Sequence, residues 1–301
     1  MPVEFTLIAN PTSGRGKAHA VAREVFEGLQ RAGRSAELVL TSAPGDARRI
    51  TEQAAAAWTS VVVGSGGDGT LQEIASVLQG TFIALGILPT GRCNDLAHAL
   101  GIQKKDGAER FTQILLGNRT RKIDLGVFES QAPQAVRRFF CTVATLGFDT
   151  EVTQFVAQHR LPFKGTLAYL YAVLHKLIRF KPLKVRLSGD FGVFEGSVFL
   201  VATGNAPFYG GAMEIAPGAQ MDDGLFHVCL VEAVPRRTIL RILPKVFNGA
   251  HLSHPKVHLL KTSKMSIETD GSAHVLCGDG EVLGSTPCVL KVVPASLLVK
   301  C

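Results

Sequence analysis

Glycine and aspartate are interleaved in VVVGSGGDGTLQEI, residues 61–74. Gly64, Gly66 and Gly69 fit the G-x-G-x-x-G spacing of loops whose main-chain N–H groups close on a phosphate. Asp68 stands among them. A bare carboxylate there repels phosphate; with a divalent cation between the two, it attracts. The stretch therefore points to a metal-loaded nucleotide triphosphate rather than a metal-free pyrophosphate, held at the positive end of a helix. A plainer role is compatible: Asp68 stabilises the turn while Thr70 and Glu73 form a capping box.

Other phosphate templates fit less well. A dinucleotide fold wants an acid on the next strand, and residues 82–88 carry none. PTSGRGKA at 11–18 has Pro11 where a P-loop has its first glycine, and Ala18 where Ser or Thr holds magnesium. A second acidic pair lies in GDGEV, residues 278–282. If that chain is extended, Asp279 and Glu281 face one side and one of them takes a proton from a hydroxyl. The plainer reading is an Asp-Gly hairpin turn with Glu281 in solvent. The six cysteines form no C-x-x-C pair and read as free thiols in a reducing compartment. The sequence holds neither an H-E-x-x-H zinc motif nor a G-x-S-x-G elbow.

These residues need elements to hold them. Up to residue 122, strand and helix signals alternate. Strands are expected at 3–9, 36–40, 60–63 and 82–88. Helices are expected at 17–32, 46–57, 71–78 and 94–100, the last with Asn94 as N-cap and Gly101 just past its end. The strands are continuous apolar runs, as in a parallel sheet covered on both faces. Afterwards strand-like runs dominate, at 122–129, 138–145, 183–188, 193–203, 225–231, 257–260, 265–269 and 287–293. Long helices are expected only at 163–180 and 235–247. The expected architecture is an α/β nucleotide-binding domain over 1–122, with a parallel sheet flanked by helices. A mainly antiparallel β domain follows over 123–301, with the active site in the interdomain cleft. Whether the last strand returns to the first domain is left open.

At 301 residues, with 46% hydrophobic and 19% charged content, the chain can bury two cores, and disorder is excluded. The net charge of +7 suits acidic substrates, anionic membranes or nucleic acid. With 7% aromatics and no RNA-binding or zinc-finger pattern, nucleic acid is set aside. The N-terminus lacks the basic region of a signal peptide. The longest uncharged apolar helix candidate, 165–174, is about half the ~20 residues a bilayer span needs. A cytoplasmic protein is expected, at most peripheral at the inner membrane face. In the helix at 163–180, Leu167, Leu170, Tyr171, Leu174, Leu177 and Ile178 recur at helical spacing. His175, Lys176, Arg179, Lys181 and Lys184 cluster at its end. This is either a core helix with a basic tip or an interfacial helix meeting anionic lipid.

Seven stretches together resemble the diacylglycerol-kinase-type bacterial lipid kinases. They are GGDGT after a strand, NPTSGRGKA at 10–18, LPTGRCNDLAHALG at 88–101, IDLG at 123–126, ATLGFDTEV at 144–152, APGAQMDDGLFHV at 216–228 and GDGEV at 278–282. The resemblance covers nearly the whole chain. GGDG alone is shared with NAD kinases and with sphingosine or ceramide kinases; Asp95 in NDLA favours the diacylglycerol-kinase branch. The resemblance implies ATP- and Mg²⁺-dependent transfer of the γ-phosphoryl group to a hydroxyl of diacylglycerol or a related membrane lipid. It implies nucleotide contacts from Asn10, Ser13, Lys17, Thr41, Gly66, Gly67, Asp68, Gly69, Thr70, Gln72, Arg92, Asn94 and Asp95. It groups Asp68, Asp95 and Asp124 around a catalytic Mg²⁺. Asp223, with main-chain oxygens of Gln220 and Leu225, resembles a second, structural Mg²⁺ site. The base is an acid of the D-G-E motif, with Glu281 slightly favoured over Asp279. Gln72 stands where the family often has Asn, and Arg92 where it often has Thr; a guanidinium there can contact phosphate itself. An NAD kinase is the rival enzyme, but it gives no reason for NDLA. A nucleotide-sensing protein without activity is a further rival, opposed by the intact Asp68, Asp95 and GDGE. Oligomeric state, including a homodimer, stays open.

Overall fold

The computed structural model describes residues 3–131, 136–159, 166–211 and 213–301. Its first part alternates β1 (Phe5–Ala9), α1 (Lys17–Arg31), β2 (Ala36–Leu40), α2 (Asp46–Ala56), β3 (Val61–Gly66), α3 (Asp68–Leu78), β4 (Ala84–Pro89), α4 (Asp95–Ala99) and α5 (Gly107–Leu116). The four strands run parallel in the order β2-β1-β3-β4. β1, β3 and β4 are buried along their whole length, which is why their sequences are apolar without alternation. α1 buries Ala18, Ala22, Val25 and Leu29, one stripe at helical spacing. The sequence pattern missed α5, whose buried face is only Phe111 and Leu115.

The second part holds β5 (Thr120–Ser130), β6 (Arg137–Phe140), β7 (Val143–Gly147), α6 (Phe148–Gln158), α7 (Thr166–Arg179), β8 (Leu183–Gly189) and β9 (Gly192–Gly204). It continues through β10 (Phe208–Tyr209), β11 (Met213–Glu214), β12 (Phe226–Glu232), α8 (Arg236–Ile242), β13 (Val257–Thr262) and β14 (Lys264–Thr269). It ends with β15 (Val275–Gly278), β16 (Glu281–Ser285) and β17 (Cys288–Lys300). Pairing within this part is antiparallel, in the order β16-β15-β7-β9-β8-β14-β17, with β12 and β13 branching from β9. The last strand does return to the first part. β17 lies antiparallel to β5 from Cys288↔Ser130 to Lys300↔Thr120, and Val299 sits beside Leu85 of β4. Ile123, Leu125, Leu297 and Val299 accordingly belong to the core of the parallel sheet.

Besides α5, the short strands β10, β11, β15 and β16 were not expected, and other elements differ from expectation. The strand expected at 138–145 is split, because Cys141 and Thr142 turn their N–H groups to Asp279 instead of a ladder. The stretch 148–158 is helical. The helix expected at 235–247 stops at Ile242 and continues as a 3₁₀ turn, Leu243–Asn248, where Pro244 lacks an N–H. Of the helix expected at 163–180, residues 163–165 and the side chains of Leu167 and Leu170 lie outside the described residues. In the rest, Val173 and Leu177 are buried while Tyr171, Leu174 and Ile178 face out, Ile178 being 67% exposed. Among the described residues, no helix is long and apolar enough to cross a membrane.

Asp124 on β5 joins three distant segments. It is 2% exposed. Its Oδ2 accepts from the Gly224 N–H and its Oδ1 from the Ala295 N–H, each at 2.7 Å. Ala295 is available because the β17–β5 register slips between Val293 and Leu297. Asp124→Ala should leave both donors unpaired, at about 1–3 kcal/mol each. The urea midpoint should fall with an unchanged slope; an unmoved midpoint refutes this role.

Candidate active site where two glycine loops meet

The loops after β3 and β4 touch through bare backbone. Thr90 and Gly91 both donate to Gly66 O, at 3.2 and 2.9 Å. A Cβ on Gly91 would sit 2.3 Å from Gly67 Cα, and one on Gly14 would sit 2.4 Å from Thr90 O. Glycine is required at both places by contact alone. The turn after β1 is closed by Asn10, whose Oδ1 accepts from Thr12 N at 3.0 Å and Thr12 Oγ1 at 2.8 Å. Ser13 donates its N–H to Asn10 O, and Thr41 donates its own to Ala9 O, each at 3.0 Å. Asn10, Ser13, Thr41 and the GGDG loop thus line the carboxyl edge of the parallel sheet, where such folds bind ligands. Lys17, the first residue of α1, and Arg92 in the second loop are exposed.

Several expectations about individual side chains need correction. α3 begins at Asp68 with Gly67 as N-cap, so Thr70 and Glu73 form no capping box. Glu73 instead accepts from Gly45 N at 3.0 Å and Arg48 N at 3.2 Å, capping α2. Thr70 packs on Gly66, where a Cβ would meet it at 2.6 Å. Gln72 donates its side-chain amide to Phe139 O at 2.8 Å, so that group holds β6 and is not offered to a nucleotide. Asn94 makes no side-chain cap. It is left-handed, with φ 56°, donates its main-chain N–H to Asp68 Oδ2 at 2.8 Å, and its side-chain amide to Gly91 O at 3.1 Å.

The acids meet different fates. Asp68 Oδ1 is buried without a hydrogen-bond partner. Asp95, 7% exposed, accepts from Gly210 N and Gly211 N, each at 2.8 Å. Burial first, and the nearby Asp68 charge second, push its pKa up to about 6. Asp68, Cys93 and Asp95 bring ligand atoms within 4.8 Å of one another. Asp124 is not in that group, since its carboxyl is turned to Gly224 and Ala295. Asp279 and Gly280 have φ 52° and 86° and make the two-residue turn between β15 and β16, so the chain is not extended there. The Asp279 carboxyl faces Cys141 N at 2.6 Å, Thr142 N at 2.8 Å and Thr142 Oγ1 at 2.5 Å. Burial raises its pKa, against the pull of those donors. Glu281 is exposed and leans over the glycine loop, its Oε1 3.6 Å from where a Cβ on Gly69 would stand. In the more distant DDG turn, Asp223 Oδ1 accepts from Leu225 N at 3.0 Å and Oδ2 lies 3.5 Å from His227 Nε2; Gln220 is exposed.

Sequence reasoning missed three participants. The 208–211 stretch, FYGG, reaches Asp95 through two glycine N–H groups and stacks Phe208 on His98 at 4.5 Å between ring centroids. Two aromatics before Gly-Gly were the available signal. Lys104 donates to Gly91 O. Cys93 was read only as a free thiol.

Asp95 links pH to stability. Its pKa of about 6 lies above the 3.8 of an ordinary aspartate, so between these values the folded protein keeps a proton that the unfolded chain has released. Stability from this group is full below about pH 4 and is lost as pH rises through 6, by up to about 3 kcal/mol. In metal-free protein, the unfolding free energy of the wild type relative to Asp95→Asn should decline over that window. A difference that stays flat shows Asp95 ionised throughout.

Comparison with known proteins gives the family. Residues 4–128 match the diacylglycerol kinase catalytic domain, and residues 142–301 match the YegS C-terminal NAD kinase beta sandwich-like domain. A diacylglycerol kinase of Mycobacterium tuberculosis is 32% identical, over 98% of this chain and 94% of that one. One from Bacillus subtilis is 26% identical, over 93% and 90%. The crystal structure of a diacylglycerol kinase from Bacillus anthracis shares the fold, with a TM-score of 0.75 at 20% identity, over 99% and 96% of the two chains. The chain, with both domains matched and a relative aligned along nearly its full length, belongs to the bacterial lipid kinase family built on the diacylglycerol kinase catalytic domain.

Proposed function

We propose that the chain transfers the γ-phosphoryl group of ATP, as its Mg²⁺ complex, to a hydroxyl of diacylglycerol or a closely related membrane lipid. The observation that carries this reading is the Asp68 oxygen, buried without a partner at the head of α3. Such an oxygen is costly unless a donor or a cation meets it. The oxygen donors of Asp68 and Asp95 suit a hard cation. Mg²⁺ held there supplies neutralising charge to the phosphate chain. The main chain of Gly66–Gly69 and the start of α3 receive phosphate. Asn10, Ser13 and Thr41 line the nucleotide along the sheet edge, and Lys17, Arg92 and Lys104 offset its charge. In this reading, residues 1–122 bind nucleotide and 123–301 receive the lipid, while Asp223 with main-chain oxygens of Gln220 and Leu225 holds a second Mg²⁺.

Glu281 is the base in this reading. It is exposed beside Gly69, where an incoming hydroxyl meets the phosphate. Asp279 already accepts from three donors and acts as a positioning residue for the bend between β6 and β7. The outward Tyr171, Leu174 and Ile178 of α7, with Arg179 and Lys181 at its end, suit contact with an anionic membrane surface on the cytosolic side.

Labelled ATP and Mg²⁺, with vesicles of diacylglycerol in anionic phospholipid or with NAD, test the reaction. Label is expected in the lipid phase. Label on NAD alone, or in neither, overturns the reading. Glu281→Gln should lower kcat by about 10²–10⁴-fold while leaving the KM for ATP close to wild type. Asp279→Asn should mainly lower Tm. If Asp279→Asn loses kcat in a protein of unchanged Tm, the base is Asp279.

A further inference from the structure

Cys93 brings a thiol to the two acids at the loop junction. Its Sγ and the carboxylates of Asp68 and Asp95 bring ligand atoms within 4.8 Å of one another. The three come from backbone that is already fixed. Asp68 heads α3, Asp95 is the first residue of α4, and Cys93 sits in the loop that touches Gly67 through Gly91. On the far side, Gly211 donates to Asp95 Oδ1 at 2.8 Å, and a Cβ on it would stand 3.6 Å from Cys93 Sγ. The cluster also keeps unmet acceptors. Asp68 Oδ1 has no partner, and neither has the side-chain oxygen of Asn94, a residue 5% exposed whose main-chain N–H binds Asp68.

We propose that Cys93, Asp68 and Asp95 form a site for a thiophilic divalent cation of the Zn²⁺ class. Magnesium prefers oxygen and keeps its waters, whereas a thiolate selects zinc, cadmium or cobalt-like ions. Zinc bonds of about 2.3 Å to sulfur and 2.0–2.2 Å to oxygen put tetrahedral ligand atoms about 3.5 Å apart. The ligand atoms, all within 4.8 Å of one another, already approach that spacing. On binding, a metal–sulfur bond forms, the thiol proton leaves to solvent, and no electrons are transferred. Three protein ligands leave a fourth position for water or a phosphate oxygen. The ion then occupies the place that the nucleotide-bound cation needs, so Zn²⁺ inhibits and excess Mg²⁺ competes with it. Only this inhibitory consequence rests on the kinase reading.

Cobalt titration of the metal-free, full-length protein tests the site without an activity assay. A near-ultraviolet sulfur-to-cobalt charge-transfer band should appear and be bleached by Zn²⁺. Cys301→Ser, which alters the other half-buried cysteine, should retain the band, and Cys93→Ser should lose it. Asp68→Asn, checked for folding by circular dichroism, should weaken Co²⁺ binding by at least about 10-fold, the least that losing even an outer partner of a metal site costs. Absence of the band in wild type, or its persistence in Cys93→Ser, overturns the proposal. In the lipid phosphorylation assay, Cys93→Ser should raise the inhibitory Zn²⁺ concentration by at least about 10-fold. A protein that shows the band but phosphorylates no lipid sinks the kinase reading and leaves the metal site standing.

Discussion

A carboxylate removed from water must be met by donors or by a cation. That constraint organises the centre of this molecule. Asp95, Asp124 and Asp279 each accept main-chain N–H groups from segments at least 100 residues away in the chain. Asp95 ties the head of α4 to the loop at 208–211. Asp124 ties β5 to the DDG turn and to the slipped stretch of β17. Asp279 ties the β15–β16 hairpin to the bend between β6 and β7. Asp68 belongs to the same set but is met on one oxygen only. Of the four, only Asp68 keeps a buried oxygen without a protein donor.

The glycines answer a complementary constraint. Where acids need partners at hydrogen-bond distance, Gly14 and Gly91 need room where a side chain would stand. Gly91 lies against Gly67, and Gly14 against Thr90, so the turns after β1, β3 and β4 become one surface. That surface presents Asp68 at the start of α3 and keeps Glu281 within reach across Gly69. A methyl group at Gly91 collides with backbone, not with a side chain that can swing aside, so the loops would have to separate.

Much of this was legible in the sequence because it is local. The unbroken apolar runs of β1, β3 and β4 identify buried parallel strands, and Ala22, Val25 and Leu29 at helical spacing identify the face of α1. GGDG and NDLA announce their own loops. What could not be read was long-range. Nothing in the composition of FYGG says that its glycines bind Asp95, some 115 residues earlier. Nothing near Gln72 says that its amide is spent on Phe139. The Asp-Gly pair at 279–280 carries a strong hairpin signal, and the positive φ values there decide that two acids two apart point to different work. The strand expected at 138–145 fails for the same reason: its break is made by a carboxyl from the other end of the chain.

Clustering acids in this way has an energetic consequence. Asp95 is held above its ordinary pKa by burial and then by Asp68, and Asp279 adds to the same effect. These charges oppose one another, and part of the folding free energy is lost to that repulsion. A divalent ion between them converts mutual repulsion into shared attraction. Binding and stability are therefore coupled: an ion that enters this cluster stabilises the fold by offsetting the repulsion between its carboxylates. Because the acids are pinned by main-chain donors from distant segments, they cannot relax apart to avoid one another. The main-chain donors that tie distant segments together also hold Asp95 close to Asp68.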